Sequence, residues 1–139
     1  MECIHPGREK IESRAIEIGE EYLQYGKLIF PKADSPEVSI VIPVYNQIHY
    51  TYLCLASILE HTKDVSYEIV IADDVSGDAT EHLGEFAEGI TICRNETNQG
   101  FLRNCNHAAK SARGRYIMFL NNDTQVTEGW LSSLVSLIQ

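Results

Sequence analysis

Two clusters of side-chain oxygens could do chemistry in this chain: Asp73-Asp74, and Asn121-Asn122-Asp123. Each follows an apolar run, Ile69-Val-Ile-Ala72 in the first case and Tyr116-Ile-Met-Phe-Leu120 in the second. A carboxylate at the end of a buried run needs a partner, because an unpaired charge withdrawn from water is costly. A divalent cation is one such partner. Hard cations such as magnesium or manganese prefer oxygen ligands and bridge protein carboxylates to phosphates. The competing duty is structural, with the acids capping helices or closing turns. Asp78 fits that duty better than ligation, since Asp78-Ala-Thr-Glu81 has the spacing of a capped helix start. The histidines at 49, 61, 82 and 107 show no metal-ligand pairing and read as surface or helix residues. Cys3, Cys54, Cys93 and Cys105 have no CxxC spacing, so buried free thiols are expected over disulfides or zinc.

The elements that must position these oxygens follow from the hydrophobic pattern. Continuous apolar runs of about four to eight residues fit strands covered on both faces, as in parallel α/β sheets. Val38-Ser-Ile-Val-Ile-Pro-Val44 is a third such run. Between the runs, Tyr52, Leu55, Ala56 and Leu59 share one helix face, as do Phe101, Cys105, Ala108 and Ala112. Strand and helix therefore alternate, the signature of βαβ units. Ile90-Thr-Ile-Cys93 reads as a short strand, and Asn95 to Gly100 as a polar loop opening the next helix. Gly114 is expected to end that helix. Thr127 is expected to cap a last helix with Leu131, Leu134, Val135 and Ile138 on one face. Ligands of open parallel sheets bind outside the carboxyl ends of the strands, where strand order reverses. If the three strands are neighbours, Pro43 to Asn46, Asp73, Asp74 and Asn121 to Asp123 share that crevice.

Size and charge bound the reading. A chain of 139 residues with 44% hydrophobic content can build one domain with a real core. Residues 1–35 differ from the rest. Ile11, Ala15, Ile18, Tyr22 and Tyr25 follow helical spacing, giving an N-terminal amphipathic helix, and Pro31 to Pro36 form a linker into the first strand. Residues 36–139 form the main domain. No apolar stretch approaches the ~20 residues of a membrane span, and no signal core follows a basic start, so the default compartment is the cytoplasm. The net charge of −9 argues against a nucleic-acid surface. A nucleotide can still bind such a protein when a divalent cation intervenes.

Taken in order, Ser39-Ile-Val-Ile-Pro-Val-Tyr-Asn46, Ile71-Ala-Asp-Asp-Val-Ser-Gly-Asp78, Asn98-Gln-Gly-Phe101 with Asn106, and Gly114-Arg-Tyr-Ile-Met-Phe-Leu-Asn-Asn-Asp123 resemble the family 2 glycosyltransferases of the GT-A fold. The resemblance covers about Pro36 to Gln139. It implies an α/β, Rossmann-like nucleotide-binding half, a mostly parallel sheet flanked by helices, behind the N-terminal helix. It further implies that Pro43, Val44 and Tyr45, with Asn46, line a base pocket, and that Asp74 accepts a hydrogen bond from the base with Asp73 supporting it. Asn122 is expected to contact ribose or sugar, and Asp123 to hold Mn2+ or Mg2+ against the diphosphate. The chain departs from the family pattern at two places. Asn121 replaces the first acid of the DxD motif, and Cys105 stands where many members carry an Arg, leaving Arg103 as the nearby candidate for phosphate.

The reaction implied is an inverting, metal-dependent sugar transfer from a nucleotide-diphosphate sugar, UDP-sugar favoured, to the hydroxyl of an acceptor glycan or lipid-linked sugar. Products of such enzymes are often cell-surface polysaccharides, which leaves room for peripheral membrane association. The general base of the family comes from the part after the DxD region and is expected beyond Gln139, so the chain reads as the donor-binding half of a longer enzyme. A non-catalytic nucleotide-binding module of the same fold is the main alternative. A receiver-type signalling domain is a further one, although its acidic pair belongs after the first strand and here follows the second.

Overall fold

The computed structural model describes residues 2–4 and 26–138. Five strands form the main sheet: β1 (Glu2–Ile4), β3 (Val38–Val44), β4 (Tyr67–Asp73), β6 (Thr91–Arg94) and β7 (Tyr116–Phe119), in the order β1-β6-β4-β3-β7. β1 runs antiparallel to β6, and the other neighbours are parallel. A small parallel pair, β2 (Leu28–Ile29) with β5 (Ala87–Glu88), lies apart from it. The helices are α1 (Ile48–His61), α2 (Phe101–Ala109) and α3 (Trp130–Ile138), with a 3-10 segment at Ala79–Glu85.

Side-chain alternation along β3 and β4 sorts the core into two layers. Ile40, Ile42, Ile69 and Ile71 pack with Tyr52, Leu55 and Ile58 of α1 and with Leu131 and Val135 of α3. Val41, Val70 and Ala72 face the other way, with Cys93 of β6 and against Ala108 of α2. Because both faces of β3 and β4 are covered, their central runs, Ile40 to Val44 and Ile69 to Ala72, are continuously apolar. Chain order then fixes the site. The chain steps from β3 to β4 to β6 in one direction and returns through α2 to β7 on the other side of β3, so strand order reverses between β3 and β7.

The amino end of the sheet is clamped by one carboxylate. Glu68 Oε2 accepts from the Ser39 hydroxyl at 2.5 Å and from Arg113 N at 2.6 Å, while Oε1 accepts from Arg113 Nε at 3.0 Å. Burial pushes the Glu68 carboxyl up, but these hydrogen bonds and the Arg113 charge outweigh it and hold the group below its ordinary value. Ser39 Oγ also accepts from Gly114 N at 2.7 Å. A Cβ on Gly114 would lie 2.5 Å from Ser39 N, so a glycine is what lets the chain enter β7 beside β3.

Several expectations are corrected here. Gly114 does not end α2, which stops at Ala109; its role is that close approach. Phe101 is exposed, and the buried face of α2 is Asn104, Cys105 and Ala108. β7 is covered on one face only, with Ile117 46% and Phe119 50% exposed, because α2 packs over β3 and β4 and β7 is the edge strand. Leu134 and Ile138 of α3 are likewise exposed. Cys3 and Cys93 are not free thiols: antiparallel register sets them opposite each other, and they are joined as a disulfide. Cys54 and Cys105 are free and buried, as expected. The N-terminal helix falls outside the described residues.

Candidate functional site

The loops leaving β3 and β4 are braced against each other. Asn46 N donates to Ser76 Oγ at 2.8 Å, and Asn46 Oδ1 accepts from Gly77 N at 2.7 Å. Asp74 N reaches Val44 O at 3.0 Å. Asp78 caps twice: Oδ1 accepts from Thr80 N at 2.9 Å, and Oδ2 from Ile48 N, at the start of α1, at 3.2 Å. The bracing holds three non-glycine residues in left-handed backbone, Asn46 (φ 56°), Gln47 (φ 60°) and Val75 (φ 64°). Such residues cost of order 1–3 kcal/mol each and cluster at functional sites. Val75 is the most unusual of the three, being β-branched.

Inside this frame the paired acids are committed differently. Asp73, 1% exposed, accepts from Ser76 N on Oδ1 (2.9 Å) and from Arg94 Nη1 on Oδ2 (2.8 Å). Arg94 sits opposite Asp73 in the β4–β6 register and also donates to Ser76 O at 2.9 Å. Asp74 meets no cation among the described residues. Its Oδ1 accepts from Asn95 Nδ2 (2.9 Å) and Gln99 N (2.8 Å), and its Oδ2 from Gly100 N (2.9 Å). A carboxylate offers about four lone-pair sites, so three bonds leave Oδ2 of Asp74 one further acceptor position. Asn95 Nδ2 also donates to Asn104 Oδ1 at 3.0 Å, and Asn104 Nδ2 to Ala72 O at 2.8 Å, which fastens α2 to the end of β4.

Across the strand-order reversal, Leu120 N donates to Val41 O at 3.0 Å and delivers Asn121 to Asp123 beside β3. Helix α1 supports this turn from below. Asn122 Nδ2 donates to Thr51 Oγ1 at 3.1 Å, and the Cys54 thiol approaches Asn121 O at 3.9 Å. Burial, followed by the negative charge of Asp123, pushes the Cys54 thiol up to about 12, so it stays protonated at neutral pH. Asp123 itself is exposed. Among the described residues no three His, Cys, Asp or Glu side chains gather as a ready-made metal cage. One exposed carboxylate flanked by amide oxygens nevertheless fits a hard cation that takes its remaining ligands from phosphate and water.

The candidate residues thus divide. Asp73, Asp74 and Asn46 share one braced edge, and Asn122 and Asp123 lie at the end of β7. Tyr45 is exposed and Pro43 half-buried, while the Val44 side chain belongs to the core and leaves only its backbone at the edge. Arg103 is exposed on α2, and its side chain makes no hydrogen bond or ion pair among the described residues. Thr51, Ser76, Arg94, Asn95 and Asn104 were not singled out by sequence reasoning. Their importance comes from register and loop contacts, and only the polar loop from Asn95 onward gave a signal. A cavity of about 550 Å³ lies elsewhere, among Pro31, Leu59, Lys63 and Tyr67. It holds none of the strand-end carboxylates, so the chemistry directs attention to the other edge.

Residues 39–139 match the description Glycosyl transferase family 2. The chain belongs to this family. A glycosyltransferase of Haemophilus influenzae, itself uncharacterized, is 31% identical over 86 residues, which are 62% of this chain and 29% of that protein. TarS 1-349 of S. aureus, solved in complex with UDP-GlcNAc, superimposes with a TM-score of 0.61 at 25% identity, over 73% of this chain and 31% of that one. A mannosyltransferase from Pyrobaculum calidifontis, solved with GDP-Man and Mn2+, shares the fold with a TM-score of 0.60 at 21% identity, over 84% of this chain and 36% of that one. This family 2 chain therefore spans about a third of the length of such proteins, and it has the GT-A fold with its parallel sheet flanked by helices. The family match removes the receiver-domain alternative. No helix among the described residues is long and apolar enough to cross a membrane.

Proposed function

We propose that this chain is the donor-binding portion of an inverting, metal-dependent glycosyltransferase that takes its sugar from a nucleotide-diphosphate sugar, UDP-sugar favoured. The observation that carries the reading is the single acceptor position left on buried Asp74, at the edge that also holds Asn122 and Asp123. A uracil ring presents one N–H between two carbonyls and needs only that one acceptor. Guanine presents adjacent N–H donors and would ask for two. Tyr45 and Pro43 supply the wall for the base, with Val44 contributing backbone. Asp73, its charge offset by Arg94, does not compete with Asp74 for the base, and Asn46 holds the loop.

Asp123, helped by the side-chain oxygens of Asn121 and Asn122, would hold Mn2+ or Mg2+, which when bound offsets the charge developing on the departing diphosphate. The mannosyltransferase neighbour solved with Mn2+ supports a divalent ion, and the TarS neighbour solved with UDP-GlcNAc supports a nucleotide sugar. Arg103 is the nearest candidate cation for phosphate on α2. In the reaction an acceptor hydroxyl attacks the anomeric carbon from the face opposite the diphosphate, the carbon–oxygen bond to the diphosphate breaks, and a carboxylate base takes the hydroxyl proton. No base is assigned among the residues described. The acceptor would be a glycan or lipid-linked sugar, met in the cytoplasm or at a membrane surface.

Calorimetry with UDP, GDP and dTDP, with and without manganese, tests this. A manganese-dependent preference for UDP is expected, and no sugar transfer by the chain alone. Detectable transfer would refute the division of labour, and no binding to any diphosphate would refute the site. The second reading, a nucleotide-binding domain without turnover, is favoured by Asn121 in place of an acid, and manganese-independent binding would select it.

A further inference from the structure

We propose that Thr51 is a positioning residue of this site, acting on the bound nucleotide through Asn122. The proposal rests on the donor-site reading above. Thr51 lies in the first turn of α1 and is 0% exposed. Its hydroxyl is 3.4 Å from Gln47 O and 3.1 Å from Asn122 Nδ2. A hydroxyl has one hydrogen and two lone pairs. A carbonyl can only accept, so the Thr51 hydrogen goes to Gln47 O and a lone pair receives the Asn122 amide hydrogen.

This relay gives the Asn122 side chain a direction. Its NH2 end is tied to α1, and its Oδ1 has no protein donor among the described residues. The turn therefore offers the crevice an acceptor: a partner for a ribose or sugar hydroxyl, or an oxygen for the cation. A phosphate oxygen, itself an acceptor, is not what that end recognises. The position of the relay is set from below. Gln47 is held in left-handed backbone at φ 60°, which aims its carbonyl into the first turn of α1, where Tyr50 N and Thr51 N also reach it at 3.0 and 3.2 Å. Cys54, one turn further along α1, steadies the Asn121 carbonyl. Thus the Thr51 hydroxyl couples the loop carrying Tyr45 and Asn46 to the turn carrying Asp123.

The test is a mutant cycle read by calorimetry with UDP in the presence of manganese. Thr51→Val, which keeps shape and removes the hydroxyl, is expected to weaken UDP binding about tenfold, the usual worth of one such hydrogen bond. Thr51→Ser should bind within about twofold of the original chain. In an Asn122→Ala background, Thr51→Val should change affinity less than about twofold, which a general structural role of Thr51 would not predict. A second measurement works without ligand. The Asn122 side-chain NH2 resonances, identified by their loss in Asn122→Ala, should exchange slowly with solvent in the original chain and in Thr51→Ser. They should exchange as fast as exposed amides in Thr51→Ala. UDP binding unaffected by Thr51→Val, equal losses with and without Asn122, or a freely exchanging Asn122 amide would each overturn the proposal alone. Failure of the original chain to bind UDP would overturn the donor-site reading and this proposal with it.

Discussion

Replacing Val75 offers a sharp test of the braced loop. Its φ of 64° puts a β-branched residue in the left-handed region. The comparison to make is Val75→Gly against Val75→Ala, since both remove nearly all of the half-buried side chain and so lose similar contacts. At an ordinary helix or strand position glycine is worse than alanine by roughly 0.5–1 kcal/mol. Here alanine would retain the left-handed penalty of roughly 1–2 kcal/mol, and glycine would not. Glycine's larger freedom in the unfolded chain returns about 0.4–1 kcal/mol of that. The net expectation is Val75→Gly more stable than Val75→Ala by about 0.5–1 kcal/mol, the reverse of the usual order. For a domain of this size that is a difference of roughly 2–5 °C in Tm. Urea unfolding at a common m value would resolve it as a shift in midpoint. Val75→Ala equal to or more stable than Val75→Gly would mean that the loop does not hold residue 75 in this conformation and that the edge is not strained and pre-formed.

Other perturbations follow from the same geometry. Arg94→Met removes the cation from a buried carboxylate and should destabilise the chain by about 2–4 kcal/mol, less than a fully buried pair would lose because Arg94 is partly exposed; a loss under about 1 kcal/mol in urea unfolding would show that Asp73 does not depend on it. Glu68 has its folded pKa held below the ordinary value of 4.5, so its contribution is present above that pH and is lost as pH falls through the lower folded value. Glu68→Gln should therefore be less stable than the original chain at pH 7, with the gap closing on acidification below about pH 4.5; a gap that stayed constant with pH would refute the assignment.

The strand ends were legible in the sequence because a strand covered on both faces has little choice but to be continuously apolar. Ile40 to Val44 and Ile69 to Ala72 follow this rule, and the acids that end the second run, Asp73 and Asp74, were located accordingly. The same rule misjudged the Tyr116 run. An edge strand half open to water looks identical in sequence when its exposed residues, Ile117 and Phe119, are themselves apolar. Gly114 was noticed for the wrong reason: local punctuation suggests a helix end, whereas the need for glycine arises from Ser39, 75 positions away in the chain. Arg94 and Thr51 were invisible for the same cause. Arg94 matters because parallel register sets it against Asp73, and Thr51 because α1 passes under the end of β7. The Cys3–Cys93 pairing likewise needed the antiparallel register of β1, which three residues of sequence do not announce.

The central claim is that the carboxyl edge of the sheet, and no other surface, receives the nucleotide. Backbone amide shifts on adding UDP and magnesium test it most directly. The largest shifts are expected at Tyr45 to Asn46, Asp74 to Ser76, Gln99 to Gly100 and Asn121 to Thr124, the last group being silenced by Asp123→Ala. Shifts centred instead on the cavity around Leu59, Lys63 and Tyr67 at the opposite edge, or no shifts at all, would contradict it.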